Sequence, residues 1–404
     1  MENKPNNDSE YKFYDEDLEI PMSQLLRKNW KYIVGGIIGV ITLLILIFPR
    51  LIPGLIVLFV MAVADDPNNF RLPYNGIDFQ KIAYIDNQFI MYGIDYEHYA
   101  TDKSLVIFNS QDGKKWDKSI IKITDKNQWQ PISVVGTFNY FKGKCYLIGT
   151  TVQPLVADDC KHWQTQPINQ IESNTRYLYL AHSSAVANNT LYVGGNHGVY
   201  KTSDGINWSK EQLPYPEESN SRNFENSFYS MAVGNNKLIT ETNWRQNQKR
   251  RGLIYTKNLT TNQWSYEVYP VPVGNITRGK DRFVGLTESS AVVLEDGGHQ
   301  WNISLIEYHT NLLVYAFNTY FVGVSGYLYI EQSINGFTWK SYAPKSNYSQ
   351  DRLSINDVVC NEHICTGIGN NYYVVITHNF NNWSEQEFNH RHPKPHWWRR
   401  FVNF

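Results

Sequence analysis

The sequence predicts an all-β chain, a seven-bladed β-propeller preceded by a transmembrane helix. Three observations carry that expectation. A tryptophan closes a short polar turn seven times along the chain, and an alternating or apolar run leads into each turn. Ahead of them, residues 32–64 form a long apolar stretch with Arg50 as its single charge.

The chain has 404 residues, with 28 Tyr, 19 Phe and 12 Trp, a content that favours strands over helices. A formal net charge of −1 excludes a general nucleic-acid binder, which needs a basic surface. No cofactor motif and no metal-ligand spacing occur, so neither cofactor nor metal is expected.

The apolar stretch comes first in chain order. About 20 apolar residues span a bilayer, so one helix over Trp30–Pro49 accounts for it. The run starts too late and is too long for a cleaved signal peptide. Arg27, Lys28 and Lys31 before it, with Asp65 and Asp66 beyond, place the amino terminus in the cytoplasm and the rest outside. A second run, Leu51–Ala64, reads as a kinked or interfacial extension. As the return arm of a helical hairpin it would instead bring the large domain back to the cytoplasm. The expected domains are therefore a cytoplasmic tail (1–29), an anchor (30–66), a propeller (67–388) and a basic aromatic tail (389–404).

The repeat follows. "NSQDGKKW" ends at Trp116, "VADDCKHW" at Trp163, "KTSDGINW" at Trp208, "TKNLTTNQW" at Trp264, "LEDGGHQW" at Trp301, "QSINGFTW" at Trp339 and "THNFNNW" at Trp383. Their spacing matches one four-stranded blade rather than one hairpin. Each position has a physical task. Thr202 and Asp204 bond turn backbone that the sheet leaves unpaired, Gly205 accepts a left-handed conformation, and Trp208 buries its ring against a neighbouring sheet. Upstream of the turns, "IAYIDNQFIMYG", "AVANNTLYVGG", "MAVGNNKLITE" and "YAFNTYFVGV" read as strand–turn–strand. Two hairpins per unit make four strands.

This pattern resembles the Asp-box, or bacterial neuraminidase repeat, over about three quarters of the chain. Ser110, Asp112, Gly113 and Trp116 fit its short form, as do Thr202, Asp204, Gly205 and Trp208, while Asp296, Gly297 and Trp301 fit the longer one. The others are worn. Cys160 follows Asp159 before Trp163, an insertion precedes Trp264, Asn335 stands between Ser333 and Gly336 before Trp339, and Asn379 precedes Trp383. The resemblance implies a structural role for these boxes.

It also implies a test for sialidase-like chemistry. Family enzymes place an Arg before the first box, and Arg71 in "FRLP" occupies that place. Asp95 or Glu97 lies where a catalytic acid would follow, and Glu225 with Arg245 resembles the family's Glu–Arg pairing. Against this, Arg352 is the one arginine after Arg282 inside the expected propeller, Tyr372 and Tyr373 follow it closely, and the family enzymes have six blades. A non-enzymatic scaffold binding a protein or glycan at a bacterial envelope is therefore the first expectation, and a glycoside hydrolase the second.

Smaller features complete the reading. Cys360 and Cys365 flank a short hairpin as a cross-strand disulfide or as two buried thiols, and Cys145 with Cys160 is a weaker pair. Residues 243–252 read as a solvated basic loop in blade four. Asn188, Asn207 and Asn275 begin Asn-x-Ser/Thr triplets that reflect repeat composition. The tail's arginines and tryptophans suit a lipid interface or a partner, or else pack on the propeller.

Overall fold

The computed structural model describes residues 77–385, apart from 96–103, 123–135, 170–179, 217–223, 307–311, 324–329, 343–354, 370–372 and positions 152, 197, 247–248, 299 and 381. The expected anchor, Arg71, Glu97, Arg352, Tyr372 and the carboxy-terminal tail lie outside the described residues. Among the described residues no helix is long and apolar enough to cross a membrane. The strands all belong to the unit Tyr74–Phe404.

They form seven antiparallel four-stranded sheets, each made of consecutive strands. Blade one is β1 (Ile77–Ile85), β2 (Gln88–Asp95), β3 (Ser104–Ser110) and β4 (Asp117–Lys122). Blade two is β5 (Thr137–Phe141), β6 (Lys144–Ile148), β7 (Leu155–Ala157) and β8 (Gln164–Thr165). Blade three is β9 (Ala181–Ala187), β10 (Thr190–Gly195), β11 (Gly198–Thr202) and β12 (Trp208–Lys210). Blade four is β13 (Phe224–Gly234), β14 (Lys237–Gln246), β15 (Lys249–Asn258) and β16 (Gln263–Tyr269). Blade five is β17 (Gly274–Arg278), β18 (Arg282–Leu286), β19 (Ser290–Glu295) and β20 (Asn302–Leu305). Blade six is β21 (Leu312–Ala316), β22 (Thr319–Gly323), β23 (Ile330–Ser333) and β24 (Lys340–Tyr342). Blade seven is β25 (Ile355–Cys360), β26 (Cys365–Gly369), β27 (Tyr373–Thr377) and β28 (Ser384–Glu385).

The first strand of each blade touches the first strand of the next, from β1 through β5, β9, β13, β17, β21 and β25 back to β1. The chain is a closed seven-bladed propeller. Antiparallel order puts the first and third turns of every blade on one face. The second turns and the links between blades lie on the other.

The inner hairpins turn as their sequences require. Asp86-Asn87, Asn188-Asn189, Asn235-Asn236 and Phe317-Asn318 all have positive φ at both central positions. That is the two-residue turn whose twist matches the flanking strands, and Asn tolerates it best.

The outer turns share another design. Asp112 Oδ1 accepts the Lys114 and Lys115 amides at 2.8 and 2.9 Å and the Ser110 hydroxyl at 3.1 Å. Asp204 does the same with Ile206, Asn207 and Thr202, and Asn335 with Phe337, Thr338 and Ser333. The worn copy at Asp159 keeps the backbone bonds, to Lys161 and His162. At the next position Gly113 and Gly205 have φ of 71° and 82°. A Cβ there would also strike the preceding blade, at Thr366 Oγ1 and the Tyr146 hydroxyl respectively. Cys160 and Phe380 occupy this position in blades two and seven at φ of 58° and 61°, both fully buried.

Each tryptophan then wedges against the blade before it. Trp116 packs with Ile364 and Ile376 of blade seven, Trp208 with Tyr146 of blade two, Trp301 with Ile239 of blade four, and Trp383 with Leu312 of blade six. Trp163, Trp264 and Trp339 are half-buried in the same relation to blades one, three and five. The indole N–H of Trp208, Trp339 and Trp383 bonds the carbonyl three residues back, at 2.9–3.2 Å. At about 25 cal/mol per Å² over roughly 150–250 Å², one such ring contributes at most about 4–6 kcal/mol.

Blades four and five depart from the expected pattern. The insertion before Trp264 moves its indole N–H away from its own turn and onto Glu211 of blade three, at 2.6 Å. Lys257 Nζ reaches the same oxygen at 2.8 Å, and Lys201 bonds the other at 2.6 Å. Burial pushes the Glu211 carboxyl up, but these three donors outweigh it and its pKa lies below the usual value. In blade five the extra glycine closes a simpler turn, with the Gly298 amide on Glu295 O, and the Asp296 carboxylate takes Arg278 instead.

Residues 243–246 and 249–252 are strand, not loop. β14 and β15 pair without a register break from Lys237↔Asn258 to Gln246↔Lys249, and Arg245 faces Arg250. Trp244, buried among Tyr192, Val199 and Leu213 of blade three, holds this arm down, so the basic residues sit on a strand extension.

Both cysteine pairs are bonded. Cys360–Cys365 spans the inner hairpin of blade seven, where the two are direct partners, and Cys145–Cys160 ties β6 to the outer turn of blade two.

Among the described residues no strand crosses between the two ends, and side chains join blade one to blade seven. Asp357 of β25 accepts the Ile82 amide at 3.0 Å and Lys81 Nζ at 3.4 Å. Around them Ile77, Phe79 and Phe89 pack on Ile364 and Ile368. Asp357→Ala strands a buried amide and is expected to lower stability by about 1–3 kcal/mol, read from urea unfolding. Asp357→Asn should recover much of the loss, and equal losses in both variants would refute this account of closure.

Candidate functional site

Polar side chains gather where the inner strands break register. Between β9 and β10 the pairing shifts at Gly194/Gly195, leaving His182 without a partner. β13 slips twice against β14, freeing Ser227, Tyr229 and Ser230 from the ladder. β17 slips against β18 at Asn275 and Ile276, with Asn275 at φ 50°. A bulge bends its strand and re-aims a side chain. Here three neighbouring inner strands do so at one end of the ring, the face opposite the tryptophan turns.

The bulged residues hold each other. His182 Nε2 lies 2.7 Å from Asn196 Oδ1, which also accepts the Ser227 hydroxyl at 2.9 Å. Nε2 is therefore the donor. The His182 ring meets Tyr229 at 4.8 Å between centroids, and Tyr229 is 42% exposed. Ser230 Oγ accepts the Ile276 amide at 2.8 Å, linking blade four to blade five, and lies 3.4 Å from Glu241 Oε1.

These residues border a cleft of about 460 Å³ between blades three, four and five. His182, Tyr229, Asn243, Asn275, Thr287 and Glu288 supply its polar atoms, while Pro272, Val273 and Leu286 form an apolar wall. Asn243 lies on β14 two residues beyond Glu241, hence on the same face of the sheet. Among the described residues Asn243 Oδ1 and Glu241 Oε2 are buried without a hydrogen-bond partner.

Burial sets the charge state. Glu241 is fully enclosed, and desolvation pushes its pKa up to about 8 against weaker hydrogen bonds from Ser230 and Tyr229. It is held as the neutral acid at pH 7. Burial likewise lowers His182, opposed by its bond to Asn196. The described lining residues carry one carboxylate, Glu288, and no lysine or arginine.

A second cleft, about 650 Å³, lies at the junction of blades three and four beside Lys201, Lys210, Glu211 and Trp264. Lys201 and Glu211 belong to the network that replaces the standard turn of blade four. No group of three or more metal-ligating side chains occurs among the described residues.

The residues proposed for hydrolysis are only partly brought together. Asp95 ends β2 in blade one, two blades from the nearest blade of the cleft. The backbone of Glu225 pairs with Asn243, at the cleft, and Arg245 lies two residues further along β14. Their side chains, and all of Arg71, lie outside the described part. His182, Tyr229, Glu241 and Asn243 were missed in the sequence. The signal was present: "HSS" and "ENSFYS" put polar residues where a strand's apolar alternation should continue.

No protein-family profile matches the chain, and no curated protein matches it in sequence. Solved structures do resemble it. A catalytically inactive virginiamycin B lyase from Staphylococcus aureus, solved with quinupristin, aligns with TM-score 0.51 at 10% identity, over 74% of this chain and 94% of that one. PorZ, a surface component of the type-IX secretion system of Porphyromonas gingivalis, aligns with TM-score 0.51 at 9% identity over 79% of this chain. This chain spans 39% of PorZ. A YCF48 bound to D1 peptide gives TM-score 0.48 at 16% identity, over 65% and 85% of the two chains. The likeness is one of fold, shared by an enzyme and by a secretion-system component.

Glu241 gives stability a definite pH slope. The folded state keeps a proton that the unfolded chain releases near the ordinary value of 4.5, so stability falls as pH rises from there to about 8 and then levels off. Glu241→Gln should remove that slope. Its melting temperature is expected to exceed the parent's at about pH 8.5 and to approach it near pH 4.5. Parallel melting curves across the range would refute the neutral-acid assignment.

Proposed function

We propose that the protein is a membrane-anchored propeller of Asp-box type acting as a non-enzymatic scaffold, which recognises a protein or glycan partner through the cleft between blades three, four and five. The observation that carries this is the shared bulging of β9, β13 and β17. It is a costly local arrangement in three separate strands, and its common result is one concave surface with an exposed tyrosine. The Asp-box assignment is supported by the hydroxyl–carboxylate–glycine–indole turn of blade three, with its close relatives in blades one and six.

The apolar run of residues 32–64 supports an anchor in a bacterial inner membrane, and the basic aromatic segment 389–404 a second contact with lipid or partner. Two disulfides favour an oxidising compartment, hence a propeller outside the cytoplasm. Protease added to intact spheroplasts should then digest the propeller. Its protection until the cells are lysed would put the propeller inside.

A benzophenone amino acid in place of Tyr229 tests the binding face. Irradiation in membranes should give a defined adduct from this position and none from Glu362, which lies on the opposite face, and His182→Ala should abolish it. Equal labelling from both positions would refute the assignment. Release of product from a fluorogenic sialoside, lost in Glu225→Gln, would establish the hydrolase reading instead.

A further inference from the structure

We propose that the cleft between blades three, four and five accepts a neutral sugar ring, stacked on Tyr229 and hydrogen-bonded by Asn243 and Asn275. This rests on the reading of that cleft as the partner-binding site and names the chemical class it takes.

Charge is the first argument. Among the described lining residues Glu288 carries the one carboxylate, and no lysine or arginine is present. A carboxylate or phosphate ligand would meet that carboxylate with no counter-charge, whereas such ligands are normally held by Arg or Lys. A multiply charged cation would find a single carboxylate, Glu288, among the described lining residues.

Unmet hydrogen bonding is the second. Asn243 lines the cleft, yet its Oδ1 is enclosed and has no donor among the described residues. An enclosed acceptor left unpaired is destabilising. Turning the Asn243 side chain brings one end of the amide to the cleft, where a ligand hydroxyl pairs with it, and a neighbouring hydroxyl of the same ring would meet Asn275 or Thr287. The Asn243 amide can also turn to present its NH₂, and a hydroxyl satisfies either orientation.

Surface character is the third. A sugar ring has a face of C–H groups and an edge of hydroxyls. The cleft matches that division: Tyr229 is exposed and backed by the His182 ring, Pro272, Val273 and Leu286 form an apolar wall, and polar groups occupy the rest. Its volume of about 460 Å³ lies within the range of small-molecule sites.

Saturation-transfer NMR on the full chain in a sugar-free zwitterionic detergent tests this, with lactose, cellobiose and chitobiose as neutral probes and sialyllactose and trilysine as charged ones. At least one neutral disaccharide should bind in roughly the millimolar range and outcompete both charged probes. Tyr229→Ala and Asn243→Ala should each weaken it by about tenfold, while Tyr229→Phe retains binding. An unchanged melting curve for Tyr229→Ala, expected from the exposure of that side chain, shows that the ring is intact. Stronger binding of sialyllactose or trilysine, or no neutral binding at about 10 mM, overturns the proposal. If a photo-adduct from position 229 persists in that case, the partner face stands and the sugar class falls. If the adduct is also missing, both fall.

Discussion

Every blade of this protein has two apolar faces and cannot bury either by itself. That constraint generates the ring. The buried side chains form seven apolar clusters among the described residues, and each joins two adjacent blades rather than filling one. The repeated tryptophan is the regular contribution from one side of every joint, always directed at the preceding blade. The turn before it exists to deliver it. A carboxylate or amide gathers the loose amides, and a positive-φ residue brings the chain against the neighbour. Where the turn chemistry fails, another device keeps the joint: a disulfide at Cys160, a buried phenylalanine at Phe380, and the Lys257–Glu211–Trp264 contact between blades three and four.

Polar chemistry collects where this regularity is interrupted. A strand in register between two neighbours shows mostly apolar side chains to both. Slipping one residue out of the ladder frees a side chain to point elsewhere, at the cost of unpaired backbone. Blade four does this twice in β13, and Ser230 uses its hydroxyl to accept the Ile276 amide of blade five that would otherwise lack a partner. The same blade holds Glu241, a fully buried carboxyl that desolvation keeps neutral. Blade four is thus the most irregular in its outer turn and supplies Tyr229 and Asn243 to the cleft, while blade five supplies most of its lining.

The fold was legible because its signals are local. Asp-Gly, Asn-Asn and Asn-Gly pairs dictate turn geometry within two residues, and a tryptophan recurring at blade length needs no three-dimensional information to be noticed. Local reading failed where a sequence cue had two outcomes. Four basic residues around "QNQ" suggested a loop. The ladder continued through them because Trp244 had a neighbouring blade to pack on, which no local window contains. The cysteines behave likewise. The spacing of Cys360 and Cys365 brought a cross-strand pair to mind, whereas Cys145 and Cys160 meet only because an outer turn folds over β6.

By itself, then, the order of residues determined the strand count, the turns and the seven-fold repetition, since each rests on backbone preferences a few residues long. It also marked the apolar run ahead of the propeller. Only the tertiary structure decided which polar residues share a surface. His182, Tyr229, Asn243 and Asn275 come from three blades and are spread over 94 residues of chain. Their meeting depends on register slips and on ring closure, which are properties of strands against strands and not of any single segment.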